Sequence, residues 1–224
     1  MTRTISAIKI QKKNQNRVNL YLDGDFAFGL SKINAMWLKI GQQLTEKEIE
    51  KLLADDEVEI AYQRALKFLS FRARSLSEID GKLKKSGYSE RVIEIVCERL
   101  LDKGYIDDHK FAENWVENRN TFRPRGHQVL RWELRAKKIN EEIIESILEE
   151  TDSDEALARL AAEKYARKIN ESDRETYFRK FVAFLGRRGF SYAISISVVR
   201  EIWEANIEKN LNNLELENEV NNGI

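Results

Sequence analysis

The first thirty residues alternate between apolar and polar side chains. Residues 5–10 and 18–22 show the two-residue period of a half-buried strand, with residues 14–16 as a turn between them. Residues 23–25 suit a second turn and 26–30 a third strand. Three short strands need a surface to pack against. We therefore predict a small N-terminal β segment, with strands only before residue 35.

A capping box predicts the first helix. In this motif the side chain of the cap residue accepts the backbone amide three residues later, and the side chain of that later residue accepts the amide of the cap residue. Thr45 and Glu48 have the required spacing, and Ile49, Leu52 and Leu53 form the expected apolar face. We expect this helix to be short and to close an N-terminal region spanning residues 1–56.

From about residue 57 onward the apolar positions follow the helical period. Ala61, Ala65 and Phe68 recur at helical spacing, and Ser75 with Glu78 forms a second capping box. Gly87 stands where a glycine would end that helix.

A 51-residue repeat organises the helical part. Leu83, Leu134 and Leu185 are separated by this step, and so are the predicted helix caps Ser89 and Asn140. Helical periodicity alone would not hold core positions and a cap at one common offset. The same step relates further triplets: Ile79, Leu130 and Phe181; Tyr88, Ile139 and Phe190; Val92, Ile143 and Ile194; Val96, Ile147 and Val198; and Ser191 continues the caps.

Each copy is interpreted as three helices. First helices begin near 57, 108 and 155, second helices near 75, 126 and 174, and third helices after the three caps. The fold class is mainly α: tandem three-helix repeats that stack into an elongated, curved body, behind an N-terminal β segment. The predicted regions are 1–56, 57–107, 108–152, 153–207 and an acidic, fraying tail at 208–224.

The composition agrees with a helical protein and limits the kinds of site and the cellular location that we expect. There is one proline, and 34% of the residues are charged. Cys97 is the only cysteine, which excludes an internal disulfide and a thiolate metal site. Without a long apolar run or a signal peptide, we expect a cytoplasmic protein with no membrane contact. A monomer is the expected oligomeric state.

Charge is sorted along the chain although the net charge is zero. Residues 118–138 contain seven basic residues and only Glu133 as an acid, whereas residues 139–155 contain eight acids and no base. Residues 1–22 carry five basic residues and no acid. Sorted charge can give a neutral protein a basic surface.

The basic residues are the best candidates for contact with a partner. Several cluster at the ends of second helices, where cations also complement the helix dipole, and this accounts for part of the signal. Arg119, Arg123 and Arg125 precede a helix, so the dipole does not explain them. The candidate strip, expected to be exposed, comprises Lys84, Lys85, Arg119, Arg123, Arg125, Arg131, Arg135, Lys137, Lys138, Arg187 and Arg188.

Two tryptophans lie near this strip. Trp115 fits an inward helix face with Phe111, so core packing is the favoured interpretation. Trp132 lies within a basic helix. It could stack on a nucleic-acid base or close a joint between units, and the sequence leaves both open.

Catalytic or metal-binding machinery is not evident. His109 and His127 are the only histidines, and nothing supplies a third ligand, so surface histidines are the better interpretation. Cys97 falls in register with Leu148 and Val199 and is interpreted as a core residue rather than a catalytic thiol. Asp107-Asp108 suits a helix cap. We predict no catalytic residues, no metal and no cofactor.

Residues 72–139 resemble a known family. The segment Arg72 to Gly87 is similar to the first repeat of the RecX family, the regulators of the RecA recombinase. The stronger match is Gly-Tyr-Ile-Asp-Asp-His-Lys-Phe-Ala from Gly104 to Ala112. The resemblance covers residues 57–207, with the β segment as a common addition. Where the family often has glycine before the third helix of repeat two, this chain has Lys138.

The resemblance implies a specific role. Family members are tandem three-helix proteins that lie in the groove of the RecA–DNA filament. They oppose filament growth, ATP hydrolysis, strand exchange and RecA-stimulated repressor cleavage, and so act in homologous recombination, DNA repair and the SOS response. Single- or double-stranded DNA is a further expected partner.

Two other functions are weighed against this one. The first is a direct DNA-binding protein of tandem helix-turn-helix-like units, but the third helices are acidic on their outer faces, which disfavours entry into a DNA groove. The second is an enzyme, which is disfavoured because the sequence shows no assembled catalytic site.

Overall fold

The computed structural model describes residues 1–169 and 173–222, with side chains through residue 207. The chain divides into two compact units, Met1–Asp107 and Asp108–Ile224. Unit 1 holds the β segment and the first repeat. Unit 2 holds the second and third repeats.

Unit 1 begins with a four-stranded antiparallel sheet in the order β3-β2-β1-β4. The three predicted strands are confirmed. The expectation that no strand follows residue 35 is wrong, because β4 pairs with the start of β1 through Arg3 and Leu44. Three residues are too few to show alternation in a sequence. The elements of unit 1 are β1 Thr2–Ile10, β2 Arg17–Leu22, β3 Asp25–Ser31, α1 Lys32–Ala35, β4 Gln43–Thr45, α2 Glu46–Leu69, α3 Leu76–Lys84 and α4 Glu90–Asp102.

Helix α2 is one continuous helix where the sequence suggested two. The capping box at Thr45 and Glu48 is confirmed. Residues 50–60 contain no glycine, proline or cap, so nothing stops the helix once it has begun. The inward assignment of Leu53 is wrong: it is 43% exposed, whereas Leu52 packs against the sheet.

Unit 2 contains six helices among its described residues, and each begins within one residue of the predicted start. Helix α6 packs on α7, and α9 and α8 pack on α10. The elements are α5 Asp108–Phe122, α6 His127–Ala136, α7 Glu141–Glu149, α8 Asp154–Ala166, α9 Arg174–Arg187 and α10 Tyr192–Asn222.

Residues that are 51 positions apart in the sequence occupy equivalent core positions in the three repeats. Leu83, Leu134 and Leu185 are each fully buried. The three caps also form, because the side chains of Ser89, Asn140 and Ser191 accept backbone amides of the third helices. Ile79, Leu130 and Phe181 are likewise buried completely. The prediction of tandem three-helix repeats is confirmed.

Each second helix ends in the same left-handed turn. Gly87, Lys138 and Gly189 occupy equivalent positions and have φ values of +86°, +55° and +90°. The backbone amide of each of these three residues donates to the carbonyl three positions earlier in the chain. The amide of the residue that follows each one donates to the carbonyl five positions earlier than itself, and the two bonds together form a Schellman motif. Lys138 therefore adopts a conformation that favours glycine.

The second and third repeats meet at a close backbone contact. The amide of Gly126 donates to the carbonyl of Arg188 at 3.0 Å. A Cβ added to Gly126 would lie 2.5 Å from the carbonyl oxygen of Gly189, and one added to Gly189 would lie 2.3 Å from Cγ2 of Val129. Both glycines are needed for this approach, since only glycine leaves the space.

The last helix runs further than predicted. Helix α10 continues to Asn222, past residue 207, where the third repeat was expected to end. Residues 208–222 contain neither glycine nor proline, and each residue added to an existing helix gains one backbone hydrogen bond. Fraying of this segment stays a prediction, and its residues 223 and 224 lie outside the described residues.

Candidate partner-binding surface

The basic stretch of repeat two pairs with the acidic stretch that follows it. Arg131 on α6 binds Glu145 on α7 through two hydrogen bonds of 2.7 and 2.8 Å, and Arg135 binds Glu141 in the same forked way. These hydrogen bonds lower the pKa of both glutamates below the ordinary value. The glutamates of α7 therefore compensate two of the positive charges that the sequence places in residues 118–138.

Glu133, the one acid of that stretch, is buried beneath two of the predicted contact residues. Its carboxylate accepts from Nε of Arg119 at 2.9 Å and from Nη1 of Arg125. It also accepts from Nε1 of Trp115 at 2.7 Å. The Arg119 guanidinium lies 4.5 Å from the Trp115 ring centroid. We call Trp115, Arg119, Arg125 and Glu133 the Glu133 cluster.

The interpretation that no helix dipole explains Arg119 and Arg125 is wrong, and both also pair with a buried carboxylate. Arg119 lies in the last turn of α5, and Arg125 comes three residues after that helix ends. A cation there complements the negative end of the helix. Both residues also precede α6, and that position alone had suggested that no helix dipole explains their charge. Trp115 is partly buried and stacks on Phe111, which confirms its packing role.

The other predicted residues differ in how much charge they present to solvent. Lys84 pairs with Asp80 at 3.2 Å, and Lys137 lies 5.1 Å from the Trp115 ring. Lys85, Lys138 and Arg187 are exposed. Partner contact through these residues stays a prediction.

Trp132 presents most of its surface to solvent. Its exposed fraction is 69%, although Leu130 and Leu134 on the same helix are fully buried. Within unit 2 it therefore does not close a joint between repeats. A large exposed aromatic side chain is common at the centre of binding surfaces.

Arg123 and Arg188 lie together in a pocket of about 350 Å³ in unit 2. Arg188 was expected to be exposed, but it is partly buried and donates to the carbonyl of Pro124 at 3.0 Å. Burial lowers the pKa of Arg188, and the nearby charges of Arg125 and Arg123 lower it further. The pocket has five cationic side chains, which define the basic pocket: Arg123, Lys164, Arg167, Lys168 and Arg188.

Three of these cations were not predicted. Lys164, Arg167 and Lys168 fall at the end of α8, where their spacing places Lys164 and Lys168 one turn apart. That signal is present in the sequence, but nothing in it indicates that α8 meets the end of α5 and the end of α9.

The residues considered for chemistry have other roles. His109 pairs with Glu113 at 3.4 Å, and Nε2 of His127 lies 2.9 Å from the carbonyl oxygen of Asp152. Cys97 packs against the core of the first repeat, as predicted, and burial raises the pKa of its thiol to about 11. Over the described residues, no three potential metal ligands come together, and no helix is long and apolar enough to cross a membrane.

Family models match the chain in four consecutive segments. Residues 3–45 match the RecX N-terminal domain, and residues 61–100, 107–148 and 152–199 match the first, second and third RecX three-helix domains. The regulatory protein RecX of Bacillus subtilis is 33% identical over 210 residues, which cover 91% of this chain and 79% of the relative. That of Clostridium tetani is 31% identical, covering 88% and 94%.

Solved structures agree with this assignment. A crystal structure of a regulatory protein RecX has a TM-score of 0.69 at 32% identity and covers 86% of this chain and 96% of its own. RecX from Lactobacillus salivarius has a TM-score of 0.56 at 27% identity, covering 66% of this chain and 97% of its own. The chain belongs to the RecX family of regulatory proteins.

Proposed function

We propose that this chain is a negative regulator of the RecA recombinase, which binds in the groove of the RecA–DNA filament. It slows filament growth and lowers ATP hydrolysis, strand exchange and RecA-stimulated repressor cleavage. The observation that carries the proposal is the match of four consecutive segments to RecX domains. The proposal includes a cytoplasmic monomer that acts without catalysis or cofactor, in recombination, DNA repair and the SOS response.

The proposal is tested by following ATP hydrolysis. The cognate RecA is assembled on single-stranded DNA, and the protein is titrated from well below to above the RecA concentration. We expect substoichiometric protein to lower the hydrolysis rate, because one regulator at a growing end or across neighbouring subunits affects many of them. An unchanged rate over the full titration with folded protein would reject the proposal.

Exposed residues on α6 and near the ends of α6 and α9 supply the contact that we propose for the filament. Trp132 is 69% exposed, and Lys138 and Arg187 are exposed cations near the ends of α6 and α9. Trp132→Ala combined with Lys138→Glu and Arg187→Glu should weaken inhibition. Exposed changes of this kind usually alter the free energy of unfolding by about 0.5 kcal/mol or less each.

The matched control reverses two exposed cations of unit 1, Arg91→Glu and Lys103→Glu, with the same change in net charge. If the control loses inhibition as much as the triple variant does, then net charge decides the result, and the residues on α6 and at the ends of α6 and α9 are not the contact.

Direct recognition of duplex DNA through the third helices is the weaker candidate. Helix α4 begins with Glu90, and α7 begins with Glu141 and Glu142. A helix that enters the major groove presents its N-terminal residues to the bases and phosphates, where these carboxylates would be repelled.

A further inference from the structure

The basic pocket is formed where three helices of unit 2 end. Arg123 follows α5, Lys164, Arg167 and Lys168 surround the end of α8, and Arg188 follows α9. Among the described residues that line the pocket, none is acidic. This distinguishes it from the α6–α7 pair, where each arginine has a glutamate.

Helix dipoles do not account for all of this charge. The C-terminal end of a helix carries roughly half a negative elementary charge, so three ends contribute about −1.5. The five cations contribute +5. Even if every helix end is fully compensated, about 3.5 positive charges remain inside one concavity. Such an excess is unfavourable unless an anion neutralises it.

The contacts within the pocket leave its cations able to bind more. Nζ of Lys164 donates to the carbonyl of Thr121, which uses one of three ammonium donors. Arg188 donates one nitrogen to Pro124 and lies 4.6 Å from the Phe184 ring centroid. Lysine and arginine around a concave site of this kind favour phosphate as the anion.

Aromatic side chains beside the cations point to a base next to the phosphate. Phe122 lines the pocket and is 70% exposed, so its ring offers a face to a ligand. Tyr165 and Phe184 stack at 3.9 Å and form an apolar wall. Cationic grooves with exposed rings are typical of sites for unpaired strands, since bases stack on aromatic faces. An acidic peptide would use the cations but not the exposed ring.

We propose that the basic pocket binds one phosphate of an unpaired nucleic-acid strand, with the neighbouring base stacked on Phe122. The pocket of about 350 Å³ accommodates a phosphate and adjacent sugar while the strand continues into solvent. The binding requires no RecA, so it goes beyond the function proposed above and can fail or succeed independently of it.

The test is fluorescence anisotropy of a labelled oligothymidine with the full chain and no RecA. The double variant Lys164→Gln/Lys168→Gln removes two cations of the pocket. At about 0.1 M salt, each lost phosphate contact should weaken binding about fivefold and reduce the slope of log K against log salt by about 0.7. Because the pocket holds one phosphate, we expect the double variant, which loses that contact, to bind about fivefold more weakly.

The control variant Arg91→Gln/Lys103→Gln removes two exposed cations of unit 1 and should bind like the parent. Phe122→Ala should weaken binding about fivefold or more through lost stacking, and Phe122→Trp should restore it. Circular dichroism checks that each variant is folded.

Three results would overturn the proposal. The first is a folded Lys164→Gln/Lys168→Gln variant that binds the oligothymidine as the parent does. The second is equal weakening by the unit 1 control. The third is a blunt DNA duplex or polyglutamate that competes as well as the unlabelled oligothymidine, which would identify a general polyanion surface instead of a strand site.

Discussion

The indole nitrogen of Trp115 and the carboxylate of Glu133 are joined by a 2.7 Å hydrogen bond that spans α5 and α6. The same carboxylate also receives Arg119 and Arg125. Glu133 on α6 is thus the common acceptor for two side chains of α5 and one of the loop between the helices.

Replacing Glu133 should destabilise the second repeat. Glu133→Ala leaves two guanidinium groups and the indole N–H without their acceptor, and the arginines are only partly exposed. We expect a loss of about 2–3 kcal/mol in the free energy of unfolding, measured by urea denaturation. Glu145→Ala removes a more exposed partner, of Arg131, and should cost below about 1 kcal/mol. Equal losses in the two variants would show that Glu133 has no special role.

Lys138→Gly should stabilise the protein. Lys138 has φ of +55°, which costs a residue with a Cβ about 1 kcal/mol relative to glycine. The neighbouring Lys137 has φ of −87°, so Lys137→Gly gains no relief and should be neutral or destabilising. Thermal unfolding of both variants tests this difference. A lower midpoint for Lys138→Gly than for the parent would contradict it.

Gly126→Ala should weaken the contact between repeats two and three. The added Cβ would lie 2.5 Å from the Gly189 carbonyl oxygen, so the backbone must shift, at a cost of about 1–3 kcal/mol. Gly186 lies within α9 with nothing near its missing Cβ, and Gly186→Ala should stabilise by about 0.5–1 kcal/mol. Urea denaturation should therefore move in opposite directions for the two substitutions, and a shift in the same direction would count against the close approach.

Cys97 should react slowly with iodoacetamide. Burial, and then the charge of Asp80, raise the pKa of its thiol from an ordinary value of 9.0 to about 11. At pH 8 the reactive thiolate should be about 100-fold scarcer than in the unfolded chain, and the reaction should accelerate as the pH rises toward 11. Protein unfolded in urea serves as the control. Equal rates in the folded and unfolded protein would show that the thiol is accessible and unperturbed.

The repeat architecture could be predicted because the same pattern of core and cap residues occurs in three copies along the sequence. One buried leucine per repeat and one cap per repeat kept the 51-residue spacing that the structure shows at Leu83, Leu134 and Leu185. The short strand β4 and the junction within α2 were missed, since neither changes the local pattern of apolar residues. A strand of three residues is defined by its partner, which lies about forty residues away.

Charge was harder to interpret than hydrophobicity. Counting residues 118–138 gave a strong positive excess, yet Arg131 and Arg135 point at the glutamates of the next helix. Whether neighbouring blocks of opposite charge neutralise each other depends on how two helices fold together. The basic pocket was missed for the converse reason, because Lys164 and Arg123 are forty-one residues apart and meet only through packing.

Helix α2 belongs at the same time to the sheet and to the first repeat. Asp56, which is 4% exposed, holds Arg17 and the amide of Ser31 in the sheet, while Glu59, one turn later, binds Arg99 of α4 at 2.7 Å. A truncation that starts at residue 57 would cut α2 through its middle, remove Asp56 with the sheet it binds, and leave the Glu59–Arg99 pair on a helix without its N-terminal capping box. A shortened protein that begins with the first repeat should start no later than Thr45 to keep the capping box of α2. Even then, the buried Asp56 would lose Arg17 and the Ser31 amide, so the β segment is part of the structure that stabilises α2.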